Sequence, residues 1–118
     1  MSFSINSEIQ SSVFIISFTG TILTTEKVDD TLEIVDHQLE KEQRKFILNL
    51  KELKQINSSG LNLILRIFTH IRNKGGELFL IHANKTVSEL FRISKLNTVF
   101  NISADKQTAI NQLNAPEA

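Results

Sequence analysis

Hydrophobic and polar positions divide the chain into short segments of two kinds. Phe3, Ile5 and Ile9 fall on one side of a period-two pattern with polar residues between them, which predicts a half-exposed edge strand. Gln10-Ser11-Ser12 has turn composition, and Val13 to Phe18 is almost continuously apolar and β-prone, as in a central strand covered on both faces and ended by Gly20. With Thr24 or Thr25 as N-cap, Val28, Leu32, Val35 and Leu39 then recur at helical spacing. Phe46 to Leu50 predicts a second buried strand, followed by a short link containing Leu53. Leu61, Ile64, Leu65, Phe68 and Ile71 form the stripe of an amphipathic helix, which stops at Lys74-Gly75-Gly76. Leu78 to Ile81 predicts another strand. Thr86-Val87-Ser88-Glu89 has the form of a capping box, opening a helix whose core face holds Val87, Leu90 and Phe91. Val99 to Ile102 predicts a short last strand and Asp105 to Leu113 a final helix with Ile110 and Leu113 inward.

The predicted order is β-β-α-β-α-β-α-β-α, with no internal repeat or linker. Strands alternating with helices imply right-handed crossovers and a parallel sheet, while the short turn between the first two strands makes that pair antiparallel. The fold class is α/β: a single domain over residues 1–113, with a mixed, mostly parallel sheet flanked by helices, and a C-terminal tail at 114–118 holding the only proline.

Composition narrows the function classes. The 118 residues include 13 basic and 13 acidic side chains, so the formal charge is zero and nothing favours electrostatic capture of nucleic acid or an anionic membrane. The absence of cysteine excludes a disulfide framework, a thiolate metal site and a cysteine nucleophile. No apolar run approaches a membrane span and the first residues lack a signal-peptide pattern, which predicts a soluble cytoplasmic protein. His37, His70 and His82 show no metal-ligand spacing, and neither Gly-x-x-x-x-Gly-Lys nor Gly-x-Gly-x-x-Gly occurs, so no cofactor is expected. A serine on a strand-to-helix turn suggests a hydrolase elbow, but Gly-x-Ser-x-Gly is absent; an enzyme is not expected.

The segment with chemistry to offer is Asn57-Ser58-Ser59-Gly60, where a strand hands over to a helix. Unpaired N–H groups and the positive end of the helix dipole meet there. A serine in that place serves as a cap, or carries a phosphate that the helix end tolerates and a docked partner feels. On the same helix Leu63 and Ile67 fall away from the predicted stripe. Either a neighbouring helix covers them or they form an apolar contact patch, with Arg66 and Arg92 flanking it.

The buried strand, the Ser58-Ser59-Gly60-Leu61 helix start, the Gly75-Gly76 stop, Leu-Phe-Leu-Ile-His at 78–82 and Val87 to Leu96 together resemble the STAS domain family, whose single-domain members include bacterial anti-sigma factor antagonists. The resemblance implies a non-enzymatic partner-switching regulator that binds an anti-sigma factor with serine kinase activity and is opposed by a serine phosphatase. It places the phosphorylated residue at Ser58, with Ser59 the lesser candidate; the expected docking surface is Asn57, Ser58, Ser59 and Gly60, with the Leu63 and Ile67 patch read from helical spacing beside them. A monomer or weak dimer is expected. Asn57, Asn49 and Leu23 stand where such relatives carry acids, and an amide keeps cap geometry without charge. That leaves an alternative within the fold: a STAS-like binding or scaffold module without the phospho-switch.

Overall fold

The computed structural model describes residues 3–22 and 28–115. Its elements follow the predicted order: β1 (Phe3–Gln10), β2 (Val13–Ile22), α1 (Val28–Glu40), β3 (Lys45–Ile56), α2 (Ser58–Asn73), β4 (Glu77–Ile81), α3 (Lys85–Ile93), a 3-10 turn at Leu96–Thr98, β5 (Asn101–Ser103) and α4 (Lys106–Asn114). The strands form one sheet in the order β1-β2-β3-β4-β5. β1 runs antiparallel to β2 through a tight turn in which Ser11 and Ser12 take left-handed φ values of 54° and 69°, and every other pair is parallel.

One face of the sheet carries α1, α2 and α3 over a core that includes Phe14, Phe18, Phe46, Leu48, Ile64 and Phe91. The other face carries α4, whose Ala109, Ile110 and Leu113 pack on Val13, Ile15, Ile47 and Ile81. This is why Val13 to Ile16 and Phe46 to Leu48 are unbroken apolar runs: successive residues face different cores, and both are buried.

Several boundaries differ from the sequence reading. β2 continues through Gly20, at φ 101°, to Ile22, because Gly20 pairs with Leu53 and Ile22 with Ile56. β3 correspondingly runs on to Ile56 where a link was expected. Register shifts between Ser17 and Thr19 and between Gly20 and Thr21 bring Leu53 and Ile56 inward at a spacing of three, which hides the strand's period of two. The capping box at Thr86 does not form. Asn84 caps α3 instead, its Oδ1 accepting from the Val87 N–H at 2.8 Å. The last strand lies at Asn101–Ser103, since Leu96–Thr98 coil into a 3-10 turn. The N-cap expected at Thr24 or Thr25 falls outside the described residues, while Asn114, placed in the tail by sequence, is the last residue of α4.

α2 ends as its glycines predict. Gly75 takes φ 80°, its N–H bonds to Arg72 O, and the Gly76 N–H reaches back to Ile71 O at 2.9 Å, the paired pattern of a Schellman stop. A Cβ on Gly76 would lie 2.8 Å from Ile71 Cγ2 and 3.0 Å from Arg44 O, so this second glycine is required by close packing.

Candidate functional site at the start of helix α2

β3 delivers its last residue, the buried Ile56, to the carboxyl end of the sheet, and the chain turns at Asn57 into α2. Asn57 is extended (φ −113°, ψ −165°), and its Oδ1 accepts from the Ser59 N–H at 3.0 Å and the Gly60 N–H at 3.2 Å. Its carbonyl accepts the first intrahelical bond, from Leu61 N at 2.9 Å. Asn57 is therefore the cap, and the two serines are relieved of that task. Ser58 stands at the first helical position and is exposed; Ser59 is half-buried and Gly60 buried. Among the described residues no hydrogen bond engages the Ser58 hydroxyl. Removing the Asn57 side chain should cost about 1 kcal/mol in Asn57→Ala, whereas Asn57→Asp should hold or slightly raise stability because the dipole favours negative charge there. Urea unfolding of the two variants measures this.

A second helix start adjoins the first. Asn84 caps α3 and donates both amide protons to the end of β3, to Leu53 O and Lys54 O at 3.1 Å each. This side chain ties the β4–α3 turn to the strand that carries Asn57. Neither α2 nor α3 has an acidic residue in its first turn, so two positive helix ends are grouped without a neutralising carboxylate at either start. The sequence reading passed over Asn84; its signal was an asparagine three residues before Val87, in the preferred N-cap class.

The apolar patch reading of α2 needs correction. Leu63 and Ile67 are 1% and 0% exposed, so neither can meet a partner without unfolding the helix from its core. The buried positions are Gly60, Leu63, Ile64, Ile67, Phe68 and Ile71, a stripe centred to one side of the predicted one. α1 flanks this side: His70, seven residues after Leu63, contacts Asp36 of α1 through Nδ1 at 3.1 Å. Leu61 and Leu65 are the half-buried pair. They stand three and seven residues from Ser58, on the helix face that the serine shares.

Other predicted residues are dispersed. Arg92 is engaged with Glu89, Nε to Oε1 at 2.6 Å, and that hydrogen bond holds the Glu89 carboxyl below its ordinary value. Arg66 is exposed on α2. Asn49 lies mid-strand, accepting from the Lys51 N–H at 3.1 Å and donating to Ser17 Oγ at 3.5 Å. Six strand residues lie between it and Ile56, roughly 20 Å of chain, so its lack of charge is not felt at the serines. Leu23 lies outside the described residues. Among those described, no group of histidines or acids is placed to hold a metal, and no helix is long and apolar enough to cross a membrane.

Comparison with known proteins places the architecture. The STAS domain pattern matches residues 4–109, and the chain belongs to the STAS domain family. It is 31% identical over 80 residues to an anti-sigma F factor antagonist of Paenibacillus polymyxa, covering 67% of this chain and 68% of that one. It is 32% identical over 72 residues to a Bordetella bronchiseptica protein, BtrV, named for anti-sigma factor antagonism; that match spans 61% of this chain and 62% of the relative. In three dimensions it superposes with a TM-score of 0.82 on a Thermotoga maritima structure described in the same terms, at 22% identity, over 92% of this chain and 93% of the other. The Bacillus protein SpoIIAA, solved in its phosphorylated form, gives 0.69 at 18% identity, over 96% and 100%.

Proposed function

We propose that the chain is an anti-sigma factor antagonist, a non-enzymatic regulator that docks on an anti-sigma factor through the carboxyl end of its sheet and is switched by phosphorylation of Ser58. The observation that carries this reading is the exposed, uncommitted hydroxyl of Ser58 at the first position of α2, with capping already provided by Asn57. A phosphate there would point at N–H groups and the dipole's positive end, so the fold would bear it at little cost. A partner seated on Leu61, Leu65 and the start of α3 would meet about two new negative charges at its contact surface. The relatives' names for anti-sigma factor antagonism support the partner class. Kinase activity would belong to the anti-sigma factor, with phosphate removal by a separate serine phosphatase. A cytoplasmic location and a monomer or weak dimer belong to the same proposal.

Incubation with the cognate anti-sigma factor and ATP, followed by intact mass measurement, tests it. One phosphate adduct is expected, absent in Ser58→Ala, and the modified protein should bind at least about tenfold more weakly by calorimetry. No adduct, or one that survives Ser58→Ala, would overturn the switch. Asn57 favours a second reading, a binding module without phosphorylation, because relatives with the switch are expected to carry an acid there. That reading predicts tight binding untouched by Ser58→Asp and broken by Leu65→Asp.

A further inference from the structure

The helical layer is incomplete. α1, α2 and α3 cover one face of β2, β3 and β4, but the same face of β1 beyond Ile5 carries no helix among the described residues. Phe3, Ile5, Ser7 and Ile9 alternate onto this face, since they pair with Gly20, Phe18, Ile16 and Phe14. Phe3 and Ile5 pack on the core, whereas Ser7 is exposed and Ile9 is 63% exposed despite its position beside the buried Phe14. Alongside them runs an open groove of about 840 Å³, bounded by Ser7 and Phe14 on the sheet side and by Asp30, Glu33, Ile34 and Glu40 on the α1 side.

Its charge is one-sided. α1 contains five carboxylates and no lysine or arginine, although the whole chain is neutral. Glu40 occupies the last helical position, where the dipole disfavours an acid, and Glu33 and Asp30 sit one above another along the groove wall. His37 is the one basic residue of the last turn, and the Asp36 carboxylate is engaged by His70. The wall thus repels itself, while Ile9 beside the groove stays open to water.

We propose that this groove docks an amphipathic cationic helix of a protein partner, lying beside α1 as a fourth member of the helical layer. Apolar side chains of that helix would cover Ile9, Ile34 and the edge of Phe14, and its lysines or arginines would face Glu33, Glu40 and Asp30. The surface is distinct from Ser58: it lies on the β1 side of α1, whereas α2 flanks α1 on the other side through His70 and Asp36, and Glu40 marks the end of the groove away from the carboxyl end of the sheet.

The probe is a synthetic peptide of about 14 leucines and lysines at helical spacing, matched to the length of α1, titrated into the isotope-labelled chain. Amide shifts are expected at Ser7, Ile9, Phe14, Ile34 and Glu40, with affinity that falls as salt rises. The exposed double substitution Glu33→Lys/Glu40→Lys should weaken binding at least about tenfold, Ile9→Asp should weaken it similarly, and Ser58→Asp should leave it unchanged. A glutamate-for-lysine counterpart should not bind. Shifts that map elsewhere, indifference to Glu33→Lys/Glu40→Lys, or absence of binding at millimolar peptide would overturn the proposal. So would equal binding of a proline-interrupted peptide, which marks strand addition at the β1 edge, or shifts on β1 that follow protein concentration alone, which mark a second copy.

Discussion

Replacing Leu63 or Ile67 with alanine is expected to lower the free energy of unfolding by about 2–5 kcal/mol each, while Ser58→Ala on the same helix changes it by less than about 0.5 kcal/mol. Both aliphatic side chains are essentially fully enclosed, in the cluster that joins α1, α2 and the sheet. Truncation there removes transfer free energy and leaves a cavity that close-packed neighbours fill only partly. Domains of this kind hold about 5–15 kcal/mol in total. A double Leu63→Ala/Ile67→Ala variant should therefore be partly unfolded at room temperature, and a charge at either position should unfold it outright. Urea titration followed by circular dichroism gives the numbers, and a loss below about 1 kcal/mol for either single variant would contradict the placement of these residues. The practical consequence concerns partner mapping. A binding defect in Leu63→Asp would report loss of the fold, so the face beside Ser58 has to be probed at Leu61 and Leu65.

That distinction shows where sequence patterning runs out. Leu61, Leu63, Ile64, Leu65, Ile67, Phe68 and Ile71 make α2 apolar over more than one core-facing stripe. Periodicity identifies the helix, but it cannot say which part of a wide apolar arc is central. The answer depends on α1, whose contact with α2 is visible only in three dimensions, at His70 and Asp36. The element order and the antiparallel first pair were legible because each strand is either a short apolar run or a clean alternation. The far ends of β2 and β3 were not, because their pairing passes through register shifts at Ser17–Thr19 and Gly20–Thr21 that replace alternation by a spacing of three. Asn57, Ser58 and Ser59 were found by local sequence, since capping chemistry is local. Which of them caps was open, and the Oδ1 contacts to Ser59 and Gly60 assign it to Asn57. Asn84 was missed for a related reason: half of its role is a bond to a strand thirty residues away, which no local pattern encodes.

Asn84→Ala should show how far that bond holds the site together. The substitution removes the α3 cap, worth about 1 kcal/mol. It also strips the amide donors from Leu53 O and Lys54 O, at about 0.5–1.5 kcal/mol for each hydrogen bond. Water can replace the donor at the exposed Lys54 carbonyl more readily than at the part-buried Leu53 carbonyl, so the expected total is about 2–3 kcal/mol. Asn84→Asp separates the contributions: its carboxylate still caps Val87 N–H but gives Leu53 O and Lys54 O no donor and faces them with negative charge. It should lose less than the alanine variant in α3 and as much or more at the junction. Hydrogen exchange resolves the two. In Asn84→Ala both the start of α3 and the amides of Gln55, Ile56 and Ser59 should exchange faster, while the β2–β3 centre at Ile16 and Leu48 responds only to the global loss. If exchange at Gln55 to Ser59 is unchanged beyond that global loss, Asn84 is a cap alone and the two helix starts are not coupled. If it rises, Ser58 is presented by a surface whose geometry depends on α3, and a partner that reads the serine must read both helix starts together.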